Sequence, residues 1–173
     1  MTMPSLFKKL LYSRQFRYDN GKFFMMMDVP GIIIAMNVWV GVYKELLSNA
    51  KGKKKLFEIG HEQGLTAGRR YSMRAATSFP SFLNFTKGVV EITGIGQIKF
   101  ASSGDNVIAN ISPSPIAENY RKKFGKTKEP ICHYVVGISS GAFEGFTKKK
   151  WEGKEVKCVA KGDSFCQIIM KKK

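Results

Sequence analysis

The residues best suited to chemistry lie close together near the C-terminus. Cys158 and Cys166 share one short stretch, "EVKCVAKGDSFC", with Glu155 just ahead of them. Three roles are open to such a set: thiolate and carboxylate ligation of a metal such as zinc, a redox pair, or inert cysteines packed as small apolar side chains. Hairpin geometry bears on the choice. If Gly162-Asp163 forms a two-residue turn, the two thiols face opposite sides of the sheet. A three-residue loop over Lys161–Asp163 sets them directly opposite each other. Glu155 is out of phase with Cys158 on an alternating strand, so it needs a bulge or a twist to join them. A closed ligand shell also needs a donor from elsewhere, and Cys132 or its neighbour His133 could supply it. With 3 cysteines in all, a closed disulfide framework is not expected.

Other motifs are incomplete. "HEQGL" at His61 starts like a zinc-protease helix, but Leu65 stands where the second histidine belongs. "FGKT" at Phe124–Thr127 ends like a phosphate loop, but Tyr120 replaces the upstream glycine and a helix precedes it. Cys132 and His133 are adjacent and diverge by about 100° on a helix, so they do not form a nucleophile–base pair. Nothing in the sequence demands an enzyme.

The elements that must position these residues read as α+β. Asp19-Asn20-Gly21 marks a hairpin turn between two strands within residues 6–29, and Met25–Met27 reads as a strand buried on both faces. A buried helix is expected over 33–49, ending near Gly52, then a second over 54–76. Gly60, Gly64 and Gly68 form a stripe on the second helix. Because interior glycine costs a helix about 1 kcal/mol per site, the stripe calls for a close neighbour: another helix, a partner subunit or a ligand. A third helix (78–94), two strands around Gly104-Asp105, and a helix from Ser-Pro to Gly125 follow. The last helix begins near Ile131 and leads into the closing hairpin. The expected organisation is a single domain over 1–173: an N-terminal strand hairpin (1–29), a helical and strand core (30–130), and the last helix with a C-terminal metal-binding hairpin (131–173).

Composition narrows the partners. The chain has 173 residues and a net charge of +16, with lysines in bursts at 51–55, 121–128, 148–150 and 171–173. Such a field attracts polyanions without sequence preference, although lysine far outnumbers the arginine that base and phosphate readers favour. The apolar run Val29–Tyr43 is too short to span a bilayer. The N-terminus has no apolar signal-peptide core, so a reducing cytoplasm is expected.

The closing run is also where the chain resembles a known family. "EVKCVAKGDSFCQIIM" is similar to the C-terminal signature of the 4-vinyl reductase domain, E-x-x-C-x-A-x-G-x-x-x-C. "LFEIGHEQG" resembles that family's glycine-bearing helix, and "ICHYVVGISSGAFEGF" its last helix before the hairpin. The resemblance implies the ligand-binding fold of nitric-oxide signalling and Golgi transport, an antiparallel sheet packed against helices. It also implies kinship with the sensor domains of phenol- and xylene-responsive activators. In those sensors a cysteine, a glutamate and two further cysteines hold zinc. The matching positions are Cys132, Glu155, Cys158 and Cys166, at the same spacings. The sensors grip phenol with a histidine and a tryptophan, and this chain has neither between Arg70 and Ile131. The family name implies a reductase, but no dinucleotide fingerprint accompanies it.

The expected function is a stand-alone, zinc-containing domain that binds a small hydrophobic or aromatic molecule, forms a homodimer and spans no membrane. Val136, Ser140 and Phe143 on the last helix, with Phe79, Phe82 and Phe100, are the candidate pocket. Two alternatives stay open: a nucleic-acid-associated regulator using the lysine clusters, and a reductase of a vinyl-type substrate.

Overall fold

Asn20 and Gly21 both take left-handed backbone conformations, at φ 47° and 77°, which a two-residue hairpin turn demands. They join β1 (Arg17–Asp19) to β2 (Lys22–Met25), and β3 (Val29–Gly31) completes a three-stranded antiparallel sheet. The computed structural model describes residues 16–25, 29–31, 33–75 and 78–173. The start of the expected hairpin, and the reading of Met25–Met27 as doubly buried, lie outside what is described.

Helix α1 (Met36–Leu47) is not the fully buried helix expected from its apolar run. Val40 and Tyr43 are completely buried, but Val38 and Val42 are about half exposed, as is Ile34 just ahead of the helix. An apolar run says nothing about which side a neighbour covers. Helix α1 ends at Leu47, before the stop expected near Gly52, and helix α2 (Ala50–Ala75) starts earlier than expected and takes in Gly52. The Asn49 side chain accepts the Gly52 amide at 2.8 Å, the work of a helix N-cap. A Cβ on Gly52 would lie 2.0 Å from the Leu46 carbonyl oxygen, so the residue serves close approach to α1.

The chain continues with α3 (Phe79–Ile92), β4 (Ile98–Ser103), β5 (Asn106–Ile111), α4 (Pro115–Phe124), α5 (His133–Thr147), β6 (Trp151–Lys157) and β7 (Cys166–Lys172). The last four strands form an antiparallel sheet ordered β4-β5-β7-β6. Helix α5 is buried along most of its length, with α2 on one side and β6 on another. The neighbour of the glycine stripe is therefore α5 of the same chain. A Cβ on Gly60, Gly64 or Gly68 would come within 2.2 Å of the carbonyl oxygens of Tyr134, Ile138 or Ala142. The contact is reciprocal: Gly137, Gly141 and Gly145 face the carbonyls of Phe57, His61 and Leu65. The two backbones touch, and α5 is held against the sheet with its N-terminus at the closing hairpin.

Candidate metal centre

Each of the four candidate ligands is placed by a separate local device. Cys132 is the residue just before α5, and its amide donates to Glu155 Oε2 at 2.8 Å. On β6 the alternation turns Trp151, Gly153 and Glu155 inward. Glu155 pairs with Ile168 and Lys157 with Gln167, so Val156 is an extra residue, a bulge. The bulge removes the phase difference that separates Glu155 from Cys158 on a regular strand.

The turn after Cys158 is wider than the two- or three-residue loop expected. A 3-10 turn covers Val159–Lys161, and Gly162 takes the left-handed region at φ 110°. Asp163 closes it: its Oδ2 accepts the Cys158 amide at 2.7 Å, while the Cys158 carbonyl accepts the amides of Lys161 and Asp163. Because Lys157 pairs with Gln167, the next residues inward, Cys158 and Cys166, face each other across the hairpin. Cys166 opens β7 beside Ile111 of β5. Its sulfur lies 3.9 Å from that of Cys132 and accepts the Val159 amide at 3.4 Å.

The ligand atoms of Cys132, Glu155, Cys158 and Cys166 all lie within 4.8 Å of one another, and all four residues are buried. The set could hold a metal ion. The cysteines are free thiols. His133, the other donor weighed for the shell, stays outside the set. Electrostatics divides the protons unevenly. Burial, reinforced by Cys158, pushes the Glu155 carboxyl up to about 8. Hydrogen bonds from Cys132 and then Cys158 draw the Cys166 thiol down to about 4. Donation to Cys158 and Cys166, with burial, raises Cys132. The shifts thus favour the thiolate at Cys166 and the protonated forms of Cys132 and Glu155.

Among the described residues, three buried side-chain atoms have no hydrogen-bond partner: Glu155 Oε1, His133 Nε2 and Tyr43 Oη. Buried polar atoms are almost always paired, or are explained by an unseen water or ion. Glu155 belongs to the ligand set and His133 follows Cys132 in the chain. A cation held by the set would give the Glu155 oxygen its partner.

The candidate pocket residues fall into two groups. Phe143 sits among Phe79, Phe82 and Phe100, with ring centroids 5.7, 5.8 and 6.2 Å away. Trp151, which was not among the expected pocket residues, joins them at 5.1 Å from Phe143 and stacks on Phe79. Its inward alternation with Gly153 and Glu155 was the available signal. Val136 and Ser140 lie against Gly153, where a Cβ would meet both side chains at 2.9 Å. The Ser140 hydroxyl donates to the Val136 carbonyl of its own helix at 3.0 Å, so it is already engaged. Of the lysine clusters, Lys53 pairs with Glu129 at 2.5 Å and Lys172 with Asp105 at 3.1 Å. His61 is used structurally, 3.4 Å from Glu144.

Residues 111–172 match the model of the 4-vinyl reductase domain, a stretch that takes in all four candidate ligands. An uncharacterised protein of Methanocaldococcus jannaschii is 36% identical over 73 residues, which is 40% of this chain but only 32% of that relative's length. A second from the same organism is 25% identical over 144 residues, covering 82% of this chain and 78% of its own. Among solved structures, the phenol-responsive sensory domain of the transcription activator PoxR superposes with a TM-score of 0.81 at 17% identity, covering 99% of this chain and 92% of its own. A vinyl-4-reductase family protein of Methanocaldococcus jannaschii gives 0.58 at 17% identity, over 83% and 84%. A trafficking protein particle complex subunit 3 from Naegleria fowleri, bound covalently to palmitic acid, gives 0.54 at 15% identity, over 80% and 95%. The fold is that of these sensory and trafficking domains.

Proposed function

We propose that this chain, whose residues 111–172 match the 4-vinyl reductase domain, is a zinc-stabilised sensor domain for a small hydrophobic molecule and works as a homodimer. The metal part rests on one observation: three thiols and a carboxylate, buried together within 4.8 Å. Zinc–sulfur bonds of about 2.3 Å in a tetrahedron separate sulfurs by about 3.8 Å, and the Cys132–Cys166 separation is 3.9 Å. The donor set and the unpartnered Glu155 oxygen both suit that ion. Bound there, zinc would tie α5 to the closing hairpin, and its binding free energy would add to folding stability.

The ligand part is supported by the likeness to a phenol-responsive domain over nearly the whole chain. The ligand-facing candidates are Val136, Ser140 and Phe143 on α5, Phe79 and Phe82 on α3, and Phe100 on β4. Here the four phenylalanines pack on one another, so a guest enters by parting rings. With the Ser140 hydroxyl engaged, the lining rewards apolar area, at about 25 cal/mol per Å², and has little means of demanding a polar handle. Calorimetry with toluene and cresol tests this. Similar heats are expected, and a strong preference for cresol would overturn it. Metal analysis of protein purified without chelator tests the other half. About one zinc per chain is expected, and well under one equivalent would sink the metal reading.

A further inference from the structure

The register of the four-stranded sheet gives its outer face a definite pattern. Helix α5 covers the inner face, where Gly153 of β6 lies against Val136 and Ser140. On the outer face Lys99, Asn110, Gln167 and Lys157 pair in one row across all four strands. Ala101, Ile108, Ile169 and Lys154 form the row beside it. The three lysines are exposed, and the amides and isoleucines between them are partly buried. The Val156 bulge that brings Glu155 and Cys158 inward also turns Lys157 outward. The face is thus the back of the candidate metal centre, about 14 Å wide at three strand spacings.

A solvated sheet face gains from opposite charges set across from each other. Among the described residues, none of Lys99, Lys154 and Lys157 has a carboxylate partner. The acid of the following row, Glu152 opposite Lys171, is ion-paired with Lys173 at 2.9 Å. The field continues at the turn between β6 and β7, against which the basic burst 121–128 is held. There Arg121 donates to the Val159 carbonyl at 3.4 Å and the Thr127 amide to that of Ala160 at 2.9 Å. Acids at this end are engaged, Glu129 by Lys53 and Asp163 by the Cys158 amide and Lys161.

Between the lysines, Gln167 Nε2 donates to Asn110 Oδ1 at 2.8 Å, which leaves Gln167 Oε1 to accept and Asn110 Nδ2 to donate. A phosphate or carboxylate uses donors only, whereas a base edge uses a donor and an acceptor together. We infer that this outer face binds single-stranded nucleic acid, with Lys99, Lys154 and Lys157 on phosphates and Asn110 and Gln167 on base edges. Lysine supplies point charges without a fixed fork, so these contacts position a strand more than they read it. The major groove of a duplex admits a helix or a two-stranded ribbon. A flat four-stranded face is too broad for it, while an unpaired strand can lie across such a sheet.

Fluorescence anisotropy with a short labelled RNA of mixed sequence, single-stranded or as a duplex, tests this over a range of salt. Three phosphate contacts give log K a slope of about −2 against log salt. Lys154→Gln with Lys157→Gln should weaken binding and flatten that slope by about 1.4. Lys54→Gln with Lys87→Gln makes the same charge change at exposed positions of α2 and α3, and should leave the slope as in wild type. Gln167→Ala should weaken binding with the slope unchanged, which attraction by charge alone would not produce. Unaltered affinity in Gln167→Ala would overturn the base-edge contact. No binding of the single strand at low salt, or equal losses in the two lysine pairs, would overturn the face itself. Duplex or polyglutamate bound as tightly as the single strand would also overturn it, polyglutamate in favour of an acidic protein partner.

Discussion

Burial favours the protonated Glu155 carboxyl, and donation to Cys158 and Cys166 favours the protonated Cys132 thiol, while the hydrogen bonds that Cys166 receives from Cys132 and Cys158 favour its thiolate against burial. A metal must displace the protons on Cys132 and Glu155, so its binding releases protons and weakens as pH falls. In the metal-free protein the shifts on Glu155 and Cys166 oppose each other. Glu155, raised to about 8, favours the folded state at low pH and loses that contribution as pH rises through its folded value. Cys166, lowered to about 4, contributes at higher pH and loses it as pH falls through its folded value. Between these values folding leaves the pair's proton count nearly unchanged. This pair should then add almost no slope to metal-free stability across the window, leaving the decline toward low pH expected of His133, whose pKa burial lowers, while metal affinity climbs steeply. Zinc titrations in buffers of different ionisation enthalpy, alongside thermal melts from pH 5 to 8, check both parts. Cys158→Ser should lower zinc occupancy and the thermal midpoint together, on the order of several kcal/mol if the metal is structural.

The packing of α2 on α5 makes a contrast between glycines testable. Gly141 sits where a Cβ would be 2.0 Å from the His61 carbonyl oxygen. The group in the way is backbone, so alanine would force two helices apart. The gain in helix propensity, about 1 kcal/mol, is outweighed by an overpacking cost of about 1–3 kcal/mol or more. Gly41 in α1 has nothing within 4 Å of its Cβ position, so alanine there should stabilise by up to about 1 kcal/mol. Chemical denaturation of Gly141→Ala and Gly41→Ala should therefore move the midpoint in opposite directions. Equal shifts would mean the helices are not in backbone contact.

At the scale of the whole molecule, the glycine stripe is answered within the chain, so it no longer argues for a partner subunit. What favours the proposed dimer is the outer face of α1, where Val38 and Val42 lie one turn apart and, with Ile34 just ahead of the helix, stay 43–51% exposed. An apolar stripe of this kind commonly marks an interaction surface, and a twofold contact through it would cover both copies. Sedimentation at micromolar concentration should show a dimer that Val38→Asp converts to monomer. A monomeric wild type would remove the claim.

Much of this protein was legible residue by residue. Glu155, Cys158 and Cys166 stood out as a candidate ligand set beside the inert and redox readings, and the need for a bulge or twist to bring Glu155 to them followed from strand periodicity alone. The Asn20-Gly21 turn, the Ser-Pro start and Gly125 end of α4, and the demand of Gly60, Gly64 and Gly68 for a close neighbour are likewise local consequences of backbone sterics. Other features depended on what each element packs against. Gly52 reads as a helix stop until Leu46 is seen beside it, and the apolar run of α1 reads as buried until its outer face is found uncovered. Whether Cys132 or His133 joined the other ligands was left open by the residues themselves, and resemblance alone favoured Cys132. In the tertiary fold Cys132, not His133, joins the candidate set, because packing of α5 between α2 and the sheet sets which side chain enters the hairpin.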